Sequence, residues 1–97
     1  MEATIKAIHF DISENLVSFI NKKIDKLCRR YESISDAEVN LTLIKPEAAM
    51  NKEACIKLFI PGAPDLFASK IADTFEEAID LTLVALEKQL EKEKAKK

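Results

Sequence analysis

The sequence predicts an α+β domain of order β-α-β-β-β-α, in which two helices pack on one face of a four-stranded, largely antiparallel sheet. Two segments carry apolar residues at helical spacing, one between Ser13 and Tyr31 and one that starts at Thr74. Segments 37–44 and 53–60 alternate apolar with polar residues, as strands with one buried face do. The only glycine and two of the three prolines lie together in "PGAP", which predicts a turn between two strands.

The first half of the chain begins with a predicted strand at 3–10, "ATIKAIHF". Ser13 then caps a helix, and Glu14 lies near the positive end of the helix dipole. The helix runs about five turns to Tyr31, and "SISDA" ends it. Its buried stripe consists of Leu16, Val17, Ile20, Ile24, Leu27, Cys28 and Tyr31.

Three strands and a second helix follow. The strand at 37–44 turns Val39, Leu41 and Leu43 to one side, and the strand at 53–60 does the same with Ala54, Ile56, Leu58 and Ile60. "DLFASKIA" is the fourth strand. Thr74 and Glu77 have the spacing of a capping box for the second helix, with Asp73 as the rival cap. The core stripe of this helix is Phe75, Ala78, Ile79, Thr82, Leu83, Leu86 and Leu90.

The length of 97 residues suits one domain, 1–97, whose last segment, 91–97, is a charged tail. No apolar run approaches the roughly 18 residues that span a bilayer, and no secretory leader is evident. We therefore expect a cytoplasmic protein that has no contact with membranes. The net charge of −2 removes any bulk electrostatic reason to bind nucleic acid, so such a function requires a local concentration of cations.

The first helix provides one. Its basic residues fall together in an arc beside the apolar stripe, whereas Asp25 is predicted on the opposite flank; they are Lys22, Lys23, Lys26, Arg29 and Arg30. Phe19 shares this arc, where we favour packing at the core edge over stacking on a base. On the second helix Lys88, Lys92 and Lys96 repeat at i,i+4 spacing. Two interpretations stay open: two unrelated solvated faces, or two basic stripes that line one groove for phosphates.

Two stretches of the chain resemble a known family. They are "HFDISENLVSFINKKIDKLCRRYESI" and "IPGAPDLFASKIADTFEEAIDLTLVALEKQLEKEKAKK". They are similar to the ribosome hibernation-promoting factors, also called ribosome-associated inhibitor A or sigma-54 modulation proteins. The most specific parts are Pro61, Gly62 and Ala68, and the helix from Thr74 to Lys94. The resemblance covers nearly the whole chain and implies a fold like that of double-stranded RNA-binding domains.

The resemblance also implies a function. Family members bind the small ribosomal subunit and its rRNA near the decoding channel, and they inhibit translation in starved or stationary cells. Basic residues of both helices make the rRNA contacts; the corresponding residues here are Lys22, Lys23, Lys26, Arg29 or Arg30, Lys88, Lys92 and Lys94, and we add Lys96 from the spacing. The chain resembles the short form, so if it is a complete protein, dimerisation of ribosomes would require a separate ribosome-dimerising factor or would not occur.

Other functions find less support in the sequence. No nucleophile–base constellation, glycine-rich phosphate loop or set of metal ligands is present, so we predict no enzyme activity, cofactor, metal or small-molecule substrate. Cys28 and Cys55 are interpreted as small buried apolar residues. The alternative function is a protein-interaction module that docks an acidic partner and modulates a transcription regulator of the sigma-54 type.

Overall fold

A computed structural model of the chain describes residues 3–8, 10–44 and 49–95, with side chains up to residue 92. The elements follow the predicted order, with ends shifted by a residue or two. They are β1 (Thr4–Ile8), α1 (Glu14–Arg30), β2 (Asp36–Leu43), β3 (Lys52–Phe59), β4 (Leu66–Ala72) and α2 (Phe75–Ala95). No helix in the described ranges is long and apolar enough to cross a membrane. The predicted α+β class is confirmed.

The strands form one sheet in the order β1-β2-β3-β4. β2 is antiparallel to β3, and β3 is antiparallel to β4. β1 is parallel to β2, from Thr4 opposite Glu38 to Ile8 opposite Thr42. A parallel neighbour needs a crossover connection, and α1 is that connection. The sheet is therefore mixed, with one parallel pair in an otherwise antiparallel arrangement.

The core lies between one face of this sheet and both helices. Side chains of β2 and β3 alternate, so that Val39, Leu41 and Ile56 are fully buried on the helix side. Side chains from both helices belong to the same cluster; the fully buried ones are Ile20, Ile24, Ala78, Ile79 and Leu86. The other face of the sheet is open, as the alternation of the strands predicts.

Each helix begins at a capping side chain that the sequence predicts. The Oγ of Ser13 accepts a hydrogen bond from the backbone N–H of Leu16, 3.1 Å away. In the same way the Oγ1 of Thr74 accepts from the N–H of Glu77 at 3.1 Å. Thr74 is therefore the cap of α2, and its rival Asp73 instead accepts a hydrogen bond from the N–H of Met50.

Cys55 differs from its predicted environment. The prediction placed both cysteines in the core, but each is only half-buried. Cys28 packs against the core from α1, whereas Cys55 alternates with the buried Ala54 and Ile56 and so lies on the open face of the sheet. Apolar neighbours along a strand do not indicate burial, because successive side chains point to opposite faces. Partial burial raises the pKa of both thiols.

The turn between β3 and β4 depends on a glycine. The N–H of Ala63 donates to the carbonyl of Ile60 at 3.1 Å, which closes a four-residue turn with Pro61 and Gly62 in its centre. Gly62 has a φ of 78°, the value that a type II turn requires at its third position. Residues other than glycine rarely adopt this φ, although a Cβ added at Gly62 would meet no atom within 4 Å. The constraint at this position is therefore one of backbone conformation and not of space.

We predict that Gly62→Ala lowers the free energy of unfolding by about 1–2 kcal/mol, the cost of a left-handed backbone for an ordinary residue. Gly62→Asn should cost less, because asparagine tolerates positive φ better than alanine. Chemical denaturation of the three proteins measures both differences. Equal stability of the alanine variant and the unmodified protein would contradict the assigned turn.

Candidate nucleic-acid interface

The five basic residues of the α1 arc all reach solvent. Lys22, Lys26, Arg29 and Arg30 are exposed, and Lys23 is half-buried. The two arginines lie in the last turn of α1, where positive charge is favourable beside the negative end of the helix dipole. The buried stripe of Leu16, Ile20, Ile24 and Leu27 holds the opposite side of the helix against the sheet. The packing of α1 therefore turns its cations away from the core.

The outward part of the arc consists of Lys22, Lys26 and Arg29, which are spaced at i, i+4 and i+7 along one line of the helix. Within the described ranges neither lysine forms an ion pair. Arg29 is 80% exposed and contacts Asp25 at 3.0 Å, four residues earlier. The prediction that Asp25 lies on the opposite flank is thus wrong. A carboxylate one turn before a long arginine side chain remains within its reach.

The inward part of the arc faces α2 and meets acidic residues. The Nζ of Lys23 lies 3.3 Å from a carboxylate oxygen of Asp80. Arg30, two turns further along α1, lies 3.9 Å from a carboxylate oxygen of Glu87. The shallow groove between the helices, of about 390 Å³, is lined by these four residues together with Lys26, Leu27, Leu83 and Val84. Its walls therefore carry opposite charges.

The basic stripe of α2 does not enter this groove. Glu87 faces α1, and each further residue turns about 100° around the helix, so Lys88 points past that flank. The side-chain amide of Gln89 donates to the carbonyl of Phe67 in β4 at 3.0 Å, which identifies the side of α2 that faces the edge of the sheet. The exposed Lys88 and Lys92 lie between those two sides. The described lysines of the α2 stripe, Lys88 and Lys92, therefore do not line the groove between the helices.

Two further predicted site residues lie beyond what the structure describes. The backbone of Lys94 belongs to α2, which continues into the predicted tail, but its side chain is outside the described residues, as is all of Lys96. The sequence pattern also missed two residues of this surface, Asp80 and Glu87. A signal for them exists, because they are seven residues apart, as are their partners Lys23 and Arg30.

Phe19 lies where the sequence favours it, at the edge of the core. It is half-buried and packs against the core cluster. The Nζ of Lys23 lies 5.4 Å from the centre of its ring, which is within cation–π range. The ring of Phe19 thus makes a cation–π contact with Lys23, one of the cations that line the groove.

A hydrogen bond joins the two helices at the end of the groove. The hydroxyl of Tyr31, the residue after α1, donates to the carboxylate of Glu91 in α2. This bond raises the pKa of the Tyr31 phenol, with desolvation and the negative charge of Glu91 acting in the same direction. The bond links the C-terminal end of α1 to α2.

Among the described residues no group of three or more His, Cys, Asp or Glu side chains is arranged to hold a metal ion. His9, the only histidine, lies outside the described residues. The site on α1 and α2 is an electrostatic surface, and its described groups offer cations and carboxylates at contact distance from one another.

The sequence matches a known protein family, and the fold matches solved structures. Residues 3–97 match the family described as sigma 54 modulation protein / S30EA ribosomal protein. The structure is similar to a ribosomal subunit interface protein from Coxiella burnetii, with a TM-score of 0.83 and 27% identity over 98% of this chain and 99% of that one. It also shares its fold with the N-terminal domain of Protein Y from Thermus thermophilus, with a TM-score of 0.77 and 22% identity over 95% of this chain and 98% of that domain. The family description names no enzyme, in agreement with the sequence prediction.

We predict that Glu91→Gln lowers the pKa of Tyr31 toward its ordinary value, because the amide keeps a hydrogen-bond acceptor but removes the negative charge. Tyr31 is the only tyrosine in a chain without tryptophan, so its ionisation can be followed by ultraviolet absorbance. Glu76→Gln, at an exposed position in the first turn of α2, is the control and should leave the titration unchanged.

The same bond makes stability depend on pH. A phenol whose pKa is raised by folding stabilises the folded state fully below the unfolded value of about 10, and this contribution is lost as the pH rises through the folded value. The loss should be smaller in Glu91→Gln. An unchanged titration of Tyr31 in that variant would show that the hydrogen bond is absent in solution.

Proposed function

Since this chain belongs to the sigma 54 modulation protein / S30EA ribosomal protein family, we propose that it is a ribosome hibernation factor. In this proposal it binds the small ribosomal subunit through rRNA contacts near the decoding channel. It thereby inhibits translation in starved or stationary cells. The proposal assigns the whole chain, 1–97, to one ribosome-binding domain in the cytoplasm.

One observation carries this proposal beyond family membership: the outward line of α1, formed by Lys22, Lys26 and Arg29, is exposed on a chain with a net charge of −2. An acidic protein has no general affinity for RNA, so cations gathered on one face of α1 provide a local surface that attracts phosphates. The Coxiella burnetii protein of similar structure is named a ribosomal subunit interface protein, and a surface that binds rRNA is consistent with that name.

The proposed contacts are to the RNA backbone. Lysine and arginine side chains neutralise phosphates and release counterions, and they position a protein without reading base sequence. Structured rRNA offers closely spaced phosphates and a wide, shallow minor groove, which proteins recognise largely by shape. α1 is rigid because its apolar stripe is buried, and it therefore presents its cations at fixed intervals to such a surface. Lys88 and Lys92 would contact a second segment of RNA, because they point in another direction.

The proposed mechanism is steric. A domain anchored by its helices in the decoding channel would fill space that mRNA and tRNA need, and no chemical step is required. The open face of the sheet would then face away from the anchored side. In this mechanism the acidic residues of the chain limit binding to RNA in general and orient the protein as it approaches the ribosome.

A second candidate function follows from the other half of the family description, sigma 54 modulation. In that case α1 would dock an acidic protein surface. Two measurements distinguish the candidates: the salt dependence of ribosome co-sedimentation, and the effect of ribonuclease. RNA contacts predict binding that falls steeply with salt and is lost after ribonuclease treatment, whereas a protein partner predicts retention.

We predict that Lys22→Glu together with Lys26→Glu reduces affinity for the small subunit by about a hundredfold at low salt. Each reversal replaces an attraction worth about 0.7 kcal/mol, within the range for an exposed ion pair, with a repulsion of similar size, and the total of about 1.4 kcal/mol corresponds to roughly tenfold per residue. Co-sedimentation with purified small subunits measures the change. These two lysines are chosen because, within the described ranges, neither is engaged in an ion pair.

The matched control is Lys6→Glu with Lys70→Glu, which reverses two exposed lysines of the edge strands β1 and β4. Both double variants change the net charge from −2 to −6, since each reversal subtracts two charges. The control should bind nearly as well as the unmodified protein. Equal loss in both variants, or undiminished binding of the α1 variant, would reject α1 as the anchoring surface. Thermal unfolding of each variant verifies that the fold is intact.

A further inference from the structure

Lys23 and Arg30, which line the interhelical groove, are paired with carboxylates of the same chain, whereas Lys26 lines the same groove without an ion pair among the described residues. Asp80 contacts Lys23 and Glu87 contacts Arg30, at 3.3 and 3.9 Å. All four side chains remain accessible to solvent; the exposed fractions are 42% and 52% in the first pair and 66% and 41% in the second. Exposed ion pairs of this kind are weak, so an incoming anion can displace the carboxylate.

A carboxylate in this position resembles the ligand that the cation would otherwise bind. Carboxylate and phosphate oxygens accept the same charge-assisted hydrogen bonds from lysine and arginine. A phosphate that approaches Lys23 therefore competes with Asp80 and is repelled by its charge. The same holds for Arg30 and Glu87. For a polyanion that touches the groove at one point only, the attraction and the repulsion largely cancel.

The two pairs lie on one groove in matching register. Lys23 and Arg30 are two helical turns apart, and so are Asp80 and Glu87. At a rise of about 1.5 Å per residue, the pairs are separated by roughly 10 Å along the helices. A ligand with fixed phosphates at that separation can engage both cations at once, whereas a flexible chain must order its backbone to do so.

We propose that Asp80 and Glu87 determine the RNA specificity of this surface. They compete with polyanions in general for Lys23 and Arg30. A structured RNA displaces both carboxylates when its phosphates enter the groove at both positions. The inference rests on the proposed function, because it names the residues that separate rRNA from other RNA at the same site. Lys22 and Lys26, which lie outside these pairs, supply the attraction that does not discriminate.

The test compares Asp80→Asn/Glu87→Gln with the unmodified protein on two probes, single-stranded homopolymer RNA and purified small ribosomal subunits. Removal of each carboxylate should raise affinity for the homopolymer up to about fivefold at low salt, the upper range for an exposed ion pair. The salt dependence should become steeper, because more cations are then free to release counterions. The ratio of subunit affinity to homopolymer affinity should fall.

The matched control is Glu38→Gln/Glu53→Gln, at two half-buried positions on the open face of the sheet. Both double variants change the net charge from −2 to 0, since each removes two negative charges. The control should leave homopolymer affinity close to that of the unmodified protein. Thermal unfolding shows whether each variant folds. If the double variant Asp80→Asn/Glu87→Gln does not fold, the single variants Asp80→Asn and Glu87→Gln are measured in its place.

Three results would overturn the inference: unchanged homopolymer affinity in the α2 variant, an equal rise in the control, or an unchanged ratio between the two probes. Failure of the proposed function looks different, since the unmodified protein would then not bind small subunits. The homopolymer measurement still decides in that case whether the two carboxylates screen the groove.

Discussion

Both helices pack on the same face of the sheet, because the side chains of β2 and β3 that are fully buried all point to that side. Packed helices lie about 8–10 Å apart, a distance at which long polar side chains on their facing flanks touch. The sorting of charges around each helix therefore decides what meets there. In this chain the flank of α1 is basic and the flank of α2 is acidic, so Lys23 meets Asp80 and Arg30 meets Glu87.

This arrangement divides the cations of α1 into two groups with different properties. The outward group is exposed to solvent and, in the proposed function, attracts polyanions. The inward group is held by carboxylates and is released only when a ligand replaces them. The hydrogen bond from Tyr31 to Glu91 keeps the helices side by side at the end of the groove. In the proposed function, affinity and selectivity thus depend on different residues of the same surface.

The fold was predictable because its signals are local. The alternation in β2 and β3, the caps Ser13 and Thr74, and the "PGAP" turn each depend on neighbouring residues, and each is present in the structure. The parallel pairing of β1 with β2 and the hydrogen bond between Asp73 and Met50 involve residues distant in sequence, and only the structure shows them.

The site was predictable only in part. Helical spacing correctly placed the cations of α1 in one arc, but Asp25 was assigned to the opposite flank although residues four apart on a helix are neighbours, and Asp25 contacts Arg29. Nor does it fix how two helices are rotated toward each other, so it left open whether Lys88 and Lys92 share a groove with the cations of α1; they do not line the groove between the helices. The shared seven-residue spacing of the groove pairs is visible in the sequence, but it becomes a signal only once the helices are known to be neighbours.

The most direct test of this account is electron cryo-microscopy of the protein bound to small ribosomal subunits. The account predicts that α1 faces rRNA, with Lys22 and Lys26 at ion-pair distance from phosphates and the open face of the sheet turned away. A complex in which the sheet contacts the RNA, or in which α1 contacts only ribosomal protein, would contradict it.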